Sequence, residues 1–148
     1  MIIVSACLLG ARCKYNGGHN ESPQVKEFLQ GKSYVPICPE RLGELSTPRP
    51  PSEMRDGRVF SETGEEVTKE FEEGAKKAFA LALEKAKAKG EEIELAVLKA
   101  RSPSCGSGTI YDGTFSRTVI EGDGKMAALL KEHGIKVVSE EDIADVKL

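Results

Sequence analysis

Four short apolar runs alternate with segments of helical periodicity, and this alternation restricts the fold more than any other feature of the sequence. The runs are "MIIVSA", "YVPIC", "IELAVLKA" and "IKVV", and their length and composition are typical of strands. In the second run, Pro36 favours an edge strand or a bulge. Strands that alternate with helices form a largely parallel sheet with helices on both faces. The sequence therefore predicts an α/β fold.

The intervening segments carry helix signals of different strength. The strongest predicted helix lies within residues 65–90 and ends at Gly90, because apolar residues recur there at steps of three and four. These residues are Val67, Phe71, Ala75, Ala78, Phe79, Ala82 and Ala86. Shorter helices are predicted for "SPQVKEFLQG", with Ser22 as its N-cap, for "GKMAALLKEHG", and for the terminal "SEEDIADV".

Two segments predict loops and turns instead. Residues 46–65 are rich in proline, glycine and charge, which indicates an extended loop with a hairpin-like turn at Asp56-Gly57. The segment "GTIYDGTFSR" predicts a small hairpin about Asp112-Gly113. A loop as long as the first one is usually functional in a compact domain.

Length and charge limit the class of protein. A chain of 148 residues fits one small domain, predicted to span residues 1–148. No apolar run is long enough to span a bilayer and no leader is recognisable, so we expect a cytoplasmic protein without a membrane partner. The net charge of −3 provides no general reason to expect nucleic-acid binding. The sequence leaves the oligomeric state open.

Three cysteines follow predicted strands. Cys7, Cys38 and Cys105 come after the first, second and third runs, and the chain contains four cysteines in total. In a reducing compartment such cysteines indicate metal binding or reactivity before disulfides. Because parallel strands present their carboxyl ends at one edge of the sheet, we expect the three thiols to converge there. The predicted architecture is a mostly parallel sheet flanked by helices, with a metal-cluster site at the strand carboxyl ends.

The spacing of the cysteines leaves several chemistries open. The paired Cys-x2–4-Cys knuckles of a structural zinc site are absent, as is a Cys-x-x-Cys redox motif. Thiolates also suit an iron–sulfur cluster, and three ligands would leave one iron of a four-iron cluster open to substrate. The alternatives are a four-thiolate zinc cage that includes Cys13, a redox or nucleophilic thiol, or buried cysteines without a chemical role.

Polar neighbours of the cysteines are candidates for proton transfer. Glu40 lies two residues after Cys38, and a carboxylate beside clustered thiolates suits general acid–base work because like charge and burial disfavour its ionisation. Its structural alternative is to cap a helix or to pair with Arg41 or Arg49. Ser102 and Ser104 could orient substrate or water, although serines in such loops more often cap backbone groups.

Four segments together resemble one known family. They are "VSACLLGARCKYNG", "CPERLGELSTPRPPSE", "TGEEVTKEFEEGA" and "LKARSPSCGSGTIYDGTFS", and in this order they resemble the thiouracil desulfurase (TudS) family, long known only as a domain of unknown function. The resemblance extends over nearly the whole chain.

The resemblance implies a site and an activity. It implies a [4Fe-4S] cluster on Cys7, Cys38 and Cys105, with Cys13 outside the ligand set. It further implies that the open iron takes the thiocarbonyl sulfur of a thiolated pyrimidine, that water replaces this sulfur without net redox change, and that sulfide stays on the iron. Glu40 and a serine of "SPSC" match the acid–base pair of the family, with Ser102 preferred over Ser104. The alternative function is a non-catalytic metal or iron–sulfur carrier, or a four-cysteine zinc protein.

One position departs from the expected pattern. Where "LGGL" is expected after "CPE", this chain reads "LGEL", which introduces Glu44. An added carboxylate near the predicted site could change the substrate preference, whereas the fold and the cluster should not depend on it.

Overall fold

A computed structural model of the chain describes residues 1–146; residues 147–148, which the predicted domain includes, lie outside the described part. Short 3-10 turns at Ala6–Leu9 and Ile143–Asp145 follow the first and the last strand. The helices and strands, in chain order, are β1 (Ile2–Ser5), α1 (Pro23–Leu29), β2 (Tyr34–Ile37), α2 (Pro39–Leu42), β3 (Ser52–Arg55), β4 (Arg58–Ser61), α3 (Thr68–Ala88), β5 (Leu95–Leu98), β6 (Thr109–Tyr111), β7 (Val119–Glu121), α4 (Lys125–Glu132) and β8 (Val137–Ser139).

The four predicted strands form one parallel sheet in the order β2-β1-β5-β8. This confirms the predicted α/β class. Strand β2 lies at the edge of the sheet, where Pro36 is tolerated because its missing N–H is not needed for a second neighbour. The carboxyl ends of β1, β2 and β5 are adjacent, so residues that follow them can share one site.

Alternation along the strands creates two cores. Ile3, Ala96 and Leu98 pack with apolar residues of α3 and α4 on one face. Ile2 and Val4 point to the other face, where they pack with α1. Successive residues of a strand point to opposite faces of the sheet, so a strand that is apolar throughout is buried on both faces. Every residue of β1 and β5 is buried in this way. Helices therefore cover both faces.

A close backbone approach joins α2 to α3. A Cβ atom on Gly43 would lie 2.1 Å from the carbonyl oxygen of Glu70, and one on Gly74 would lie 1.9 Å from the carbonyl oxygen of Pro39. Only glycine avoids these overlaps. Because α2 begins directly after β2, this crossing sets the position of the residues that follow the carboxyl end of β2.

Two antiparallel hairpins lie outside the sheet. The first joins β3 and β4 through Asp56-Gly57, whose φ angles are 52° and 79°, so the predicted turn is correct although much of the expected loop is regular strand. The second pairs β6 with β7. Its predicted turn at Asp112-Gly113 is wrong, because the connection extends over residues 112–118.

The C-terminal segment is not the predicted helix; it contains only the 3-10 turn Ile143–Asp145. The predicted capping is nevertheless present: Ser139 Oγ accepts the backbone N–H of Glu141 at 3.1 Å, and Asp142 Oδ2 accepts the backbone N–H of Ser139 at 3.4 Å. The Glu140 carboxylate accepts the backbone N–H of Ala100 at 2.8 Å. The capping box therefore forms, but no α-helix follows it, and Glu140 contacts the end of β5 instead.

Among residues 1–146, none of the helices combines the length with the apolar character that crossing a bilayer requires.

Candidate active site

One cavity of about 460 Å³ lies at the carboxyl ends of β1, β2 and β5. The structure brings together there every residue of the predicted site. The residues that line the cavity include Cys7, Cys13, Cys38, Cys105, Glu40, Ser102 and Ser104. All four cysteines are free thiols.

Cys105 reaches the end of β1 through a turn of the chain after β5. Its sulfur accepts a hydrogen bond from Ser5 Oγ at 3.4 Å, and Ser104 Oγ lies 3.5 Å from it. Ser5 in turn accepts the backbone N–H of Lys99 at 3.0 Å. Burial raises the pKa of Cys105 to about 12, and the two hydroxyls act in the opposite direction.

Cys7 lies on the 3-10 turn after β1. Its sulfur accepts a hydrogen bond from Asn20 Nδ2 at 3.4 Å. Burial raises the pKa of this thiol, while the Asn20 hydrogen bond lowers it. Without a positive charge on a bound metal, desolvation therefore keeps this sulfur protonated.

Cys38 precedes α2 directly, and Cys13 lies beside it. The neighbouring thiol is the largest influence on each: it raises the pKa of Cys13 above its usual range and lowers that of Cys38 to about 7. Cys38 Sγ is also 3.9 Å from the carbonyl oxygen of Cys13. Cys13 was outside the predicted ligand set, and the structure places it next to one of the predicted ligands.

Glu40 divides its two carboxylate oxygens between different partners. Oε1 accepts hydrogen bonds from Arg49 Nε at 3.3 Å and Nη2 at 3.1 Å, and Oε2 accepts from Ser104 Oγ at 3.1 Å. The alternative of a pair with Arg49 is therefore present, and it coexists with the contact to the serine. Glu40 is 19% exposed and Arg49 6% exposed in this ion pair.

The two serines of "SPSC" have different surroundings. Ser104 is buried and contacts Glu40 directly, whereas Ser102 Oγ accepts the backbone N–H groups of Ser104 at 3.1 Å and Cys105 at 3.0 Å. The two hydroxyl oxygens are 2.9 Å apart. Ser102 thus caps backbone groups, as serines in loops often do, and reaches Glu40 only through Ser104.

The hairpins supply the outer wall of the cavity. Glu53 of β3 is buried, and its Oε1 accepts the backbone N–H of Gly113 at 3.0 Å and of Phe115 at 3.1 Å. This carboxylate ties the first hairpin to the 112–118 connection of the second. Tyr15 and Phe115 also line the cavity, so aromatic rings face the same space as the thiols.

Glu44 does not belong to the cavity. Its side chain is exposed and is not among the lining residues. Its φ angle is 69°, in the left-handed region that glycine adopts at little cost. The backbone conformation therefore explains why glycine is expected at this position. Because Glu44 lies outside the cavity lining, it is not placed to select a substrate.

The donor set distinguishes between a single ion and a cluster. Within residues 1–146, no three His, Cys, Asp or Glu side chains are arranged to hold one metal ion. A zinc cage needs its sulfurs about 2.3 Å from one ion. The ligands of an iron–sulfur cluster bind different irons and lie farther apart, and cysteine thiolates are the usual ligands. The four thiols of this cavity therefore provide the type of ligand, and at least the number, that an iron–sulfur cluster would need.

The fold and the cavity define a small α/β protein that presents free cysteine thiols beside a carboxylate and two hydroxyls. A family model described as 2-thiouracil desulfurase matches residues 2–142. The chain belongs to the 2-thiouracil desulfurase family, which confirms the resemblance seen in the sequence.

Two individual relatives agree with this assignment. The uncharacterized protein YbbK of Bacillus subtilis (strain 168) is 43% identical over 156 residues, which cover 99% of each chain. The solved structure of a [4Fe-4S]-dependent thiouracil desulfidase, TudS, is 44% identical and superimposes with a TM-score of 0.85 over 97% of this chain and 93% of that chain.

Sequence reasoning missed several partners of these side chains. Ser5 and Asn20, which donate to cysteine sulfurs, carry no local motif. Arg41 and Arg49 were equivalent candidates for Glu40, and only the structure selects Arg49, because the 46–51 segment returns to the cavity. The signal that could have found Arg49 is its place inside a long loop, since such loops often supply site residues.

Proposed function

We propose that this protein is an iron–sulfur-cluster-dependent desulfurase that removes sulfur from thiolated pyrimidines such as thiouracil, with water replacing the thiocarbonyl sulfur. One observation carries the proposal: a single cavity holds three cysteine thiols together with the hydrogen-bonded Glu40 and Ser104. Membership of the family and the likeness to a [4Fe-4S]-dependent desulfidase support the same function.

Cys7, Cys38 and Cys105 would hold the [4Fe-4S] cluster. When bound, the cluster supplies a soft Lewis acid that prefers sulfur over oxygen ligands. Asn20 and Ser5 would then act on the ligands, because N–H and O–H groups that donate to a thiolate sulfur stabilise its charge and influence the cluster. Cys13 stays outside the proposed ligand set.

The net reaction balances without electron transfer. Thiouracil and water yield uracil and hydrogen sulfide: the water oxygen bonds to the ring carbon, the carbon–sulfur bond breaks, and both protons of water leave with sulfur. The protein must therefore take protons from water and return them to sulfur. This role suits a carboxylate coupled to hydroxyl groups.

Glu40 and the serines would carry these protons. If Ser104 donates to Glu40 Oε2, its oxygen is free to accept from Ser102 Oγ, 2.9 Å away. A hydroxyl has one proton to donate and two lone pairs that accept, so the chain Ser102, Ser104, Glu40 has one consistent direction. Ser104 cannot donate the same proton to Cys105 as well. The Glu40 carboxylate is a nearer and stronger acceptor than the Cys105 sulfur.

The proposed working environment follows from the same chemistry. Free thiols that bind a cluster require a reducing compartment, so we propose the cytoplasm as the location. We also propose that the whole chain is one domain.

A net charge of −3 favours a small-molecule substrate over nucleic acid. Tyr15 and Phe115 in the cavity wall offer ring faces to a pyrimidine.

Anaerobic reconstitution with iron and sulfide tests the proposal. We expect a brown protein with roughly four irons per chain, and release of uracil and sulfide in equal amounts from 2-thiouracil. Glu40→Gln should keep the colour and lower kcat at least about 100-fold, since general acid–base groups contribute that much or more. A coloured protein without sulfide release would indicate a carrier, and a colourless protein with one tight zinc would contradict the cluster.

A further inference from the structure

Arg49 makes an unusual contact with the carboxylate of the cavity. Both its Nε and its Nη2 groups donate to the same oxygen, Glu40 Oε1, at 3.3 and 3.1 Å. A guanidinium more often engages both oxygens of a carboxylate through two parallel hydrogen bonds. Here the second oxygen, Oε2, is left for the Ser104 hydroxyl at 3.1 Å.

The remaining donors of Arg49 are also occupied. Nη2 donates to the carbonyl oxygen of Cys13 at 3.0 Å, and Nη1 donates to Ser46 and Thr47 at 3.0 Å each. The backbone N–H of Arg49 donates to the carbonyl oxygen of Tyr15 at 2.6 Å. The guanidinium is 6% exposed, so it is held in one orientation by several contacts at once.

These contacts join three segments of the chain. The loop at 46–51 carries the guanidinium, α2 carries Glu40, and the segment at 13–15 supplies the carbonyl groups. Cys38 Sγ lies 3.9 Å from the same Cys13 carbonyl that Arg49 binds. A displacement of Arg49 would therefore move the carboxylate and this part of the cavity wall together.

We propose that Arg49 is a positioning residue, which holds Glu40 by one oxygen so that the other oxygen faces Ser104. The expected effect on kcat rests on the proposed function. The expected orientation of the Glu40 carboxylate rests on the geometry alone. In this role Arg49 acts on the reaction through the position of Glu40. A lysine cannot reproduce the arrangement, because it is a point charge without the planar set of donors.

Kinetics provide the first test, with the reconstituted enzyme and 2-thiouracil. We expect Arg49→Met to keep the iron content and lower kcat by roughly 10- to 100-fold, with KM changed less than about threefold, because the misplaced group acts in the chemical step. Arg49→Lys should fall between wild type and Arg49→Met. Arg41→Met is the matched control: its side chain is exposed, lies on the same short helix and does not line the cavity.

Non-additivity provides the second test. If Arg49 acts through Glu40, the double variant Arg49→Met/Glu40→Gln should turn over no more slowly than Glu40→Gln alone. Guanidinium ion added to Arg49→Ala should restore part of kcat, whereas ammonium at the same ionic strength should not. Additive losses in the double variant, or a KM effect alone, would overturn the proposal.

A crystal structure of metal-free Arg49→Met provides a test without turnover. We expect the contact between Glu40 Oε2 and Ser104 Oγ to be lost, while Arg41→Met retains it. A carboxylate that keeps this contact without Arg49 would overturn the positioning role. If wild type releases no sulfide from 2-thiouracil, the proposed function fails, and this crystallographic comparison still decides the role of Arg49.

Discussion

Ser104 Oγ donates a hydrogen bond of 3.1 Å to Glu40 Oε2, although 64 residues separate the two in the chain. Glu40 follows β2 and Ser104 follows β5, and β1 lies between these two strands in the sheet. The contact therefore bridges the carboxyl end of β1, where Cys7 is located. It places the candidate proton-transfer groups in the same cavity as the three candidate cluster ligands.

The Ser104→Ala variant tests this bridge. We expect kcat to fall by roughly 100-fold with the cluster retained, because Glu40 loses its hydroxyl partner and the path to Ser102 is interrupted. Cluster absorbance and sulfide release from 2-thiouracil measure the two effects separately. Ser107→Ala is the control, since Ser107 lies in the same loop and does not line the cavity. A Ser104 variant as active as this control would remove Ser104 from the mechanism.

The paired variants Cys105→Ser and Cys13→Ser test the ligand set. We expect the first to lose the cluster, because a serine hydroxyl is a poor substitute for a thiolate on iron. The second should retain it, because the proposed ligand set does not include Cys13. Iron and sulfide content after anaerobic reconstitution measures both. Equal loss would instead indicate that all four cysteines are ligands.

Gly74→Ala tests the crossing of α2 and α3. Its Cβ would lie 1.9 Å from the Pro39 carbonyl oxygen, so α2 must move, and with it Cys38 and Glu40. We expect the free energy of unfolding to fall by about 1–3 kcal/mol despite the higher helix propensity of alanine. Urea unfolding of the metal-free protein measures this change. Lys77→Ala, at an exposed site of α3, should be nearly neutral; an equally neutral Gly74 variant would show that the crossing is adaptable.

Glu44→Gly tests the left-handed backbone at the departure from the family pattern. We expect the free energy of unfolding to rise by about 0.5–1 kcal/mol, because glycine adopts a φ angle of 69° without strain. This figure is the strain relieved minus the larger conformational entropy that glycine loses on folding. Turnover should not change, since Glu44 is exposed and outside the cavity lining. Glu44→Gln is the control, because it removes the charge and keeps the strain. A changed substrate preference in Glu44→Gly would instead show that the carboxylate acts at the site.

Local signals predicted the regular elements well. Apolar runs located the four strands, and the apolar spacing from Val67 to Ala86 located α3, because burial on a sheet or a helix imposes these periods. Strands β3 and β4 lie inside the predicted loop and were missed, and two further errors occurred where side chains bond across the fold. Glu140 reaches the end of β5 instead of supporting a terminal helix, and the connection 112–118 is held by Glu53 of another hairpin.

By itself, the sequence determined the α/β class, the family and the convergence of Cys7, Cys38 and Cys105, since parallel strands must present their carboxyl ends together. Only the tertiary structure decided the partners: Arg49 rather than Arg41 for Glu40, Ser104 rather than Ser102 as the nearer hydroxyl, and Cys13 beside Cys38. The physical reason is that periodicity records which residues are buried, whereas a hydrogen bond between distant segments depends on where each loop returns to the sheet.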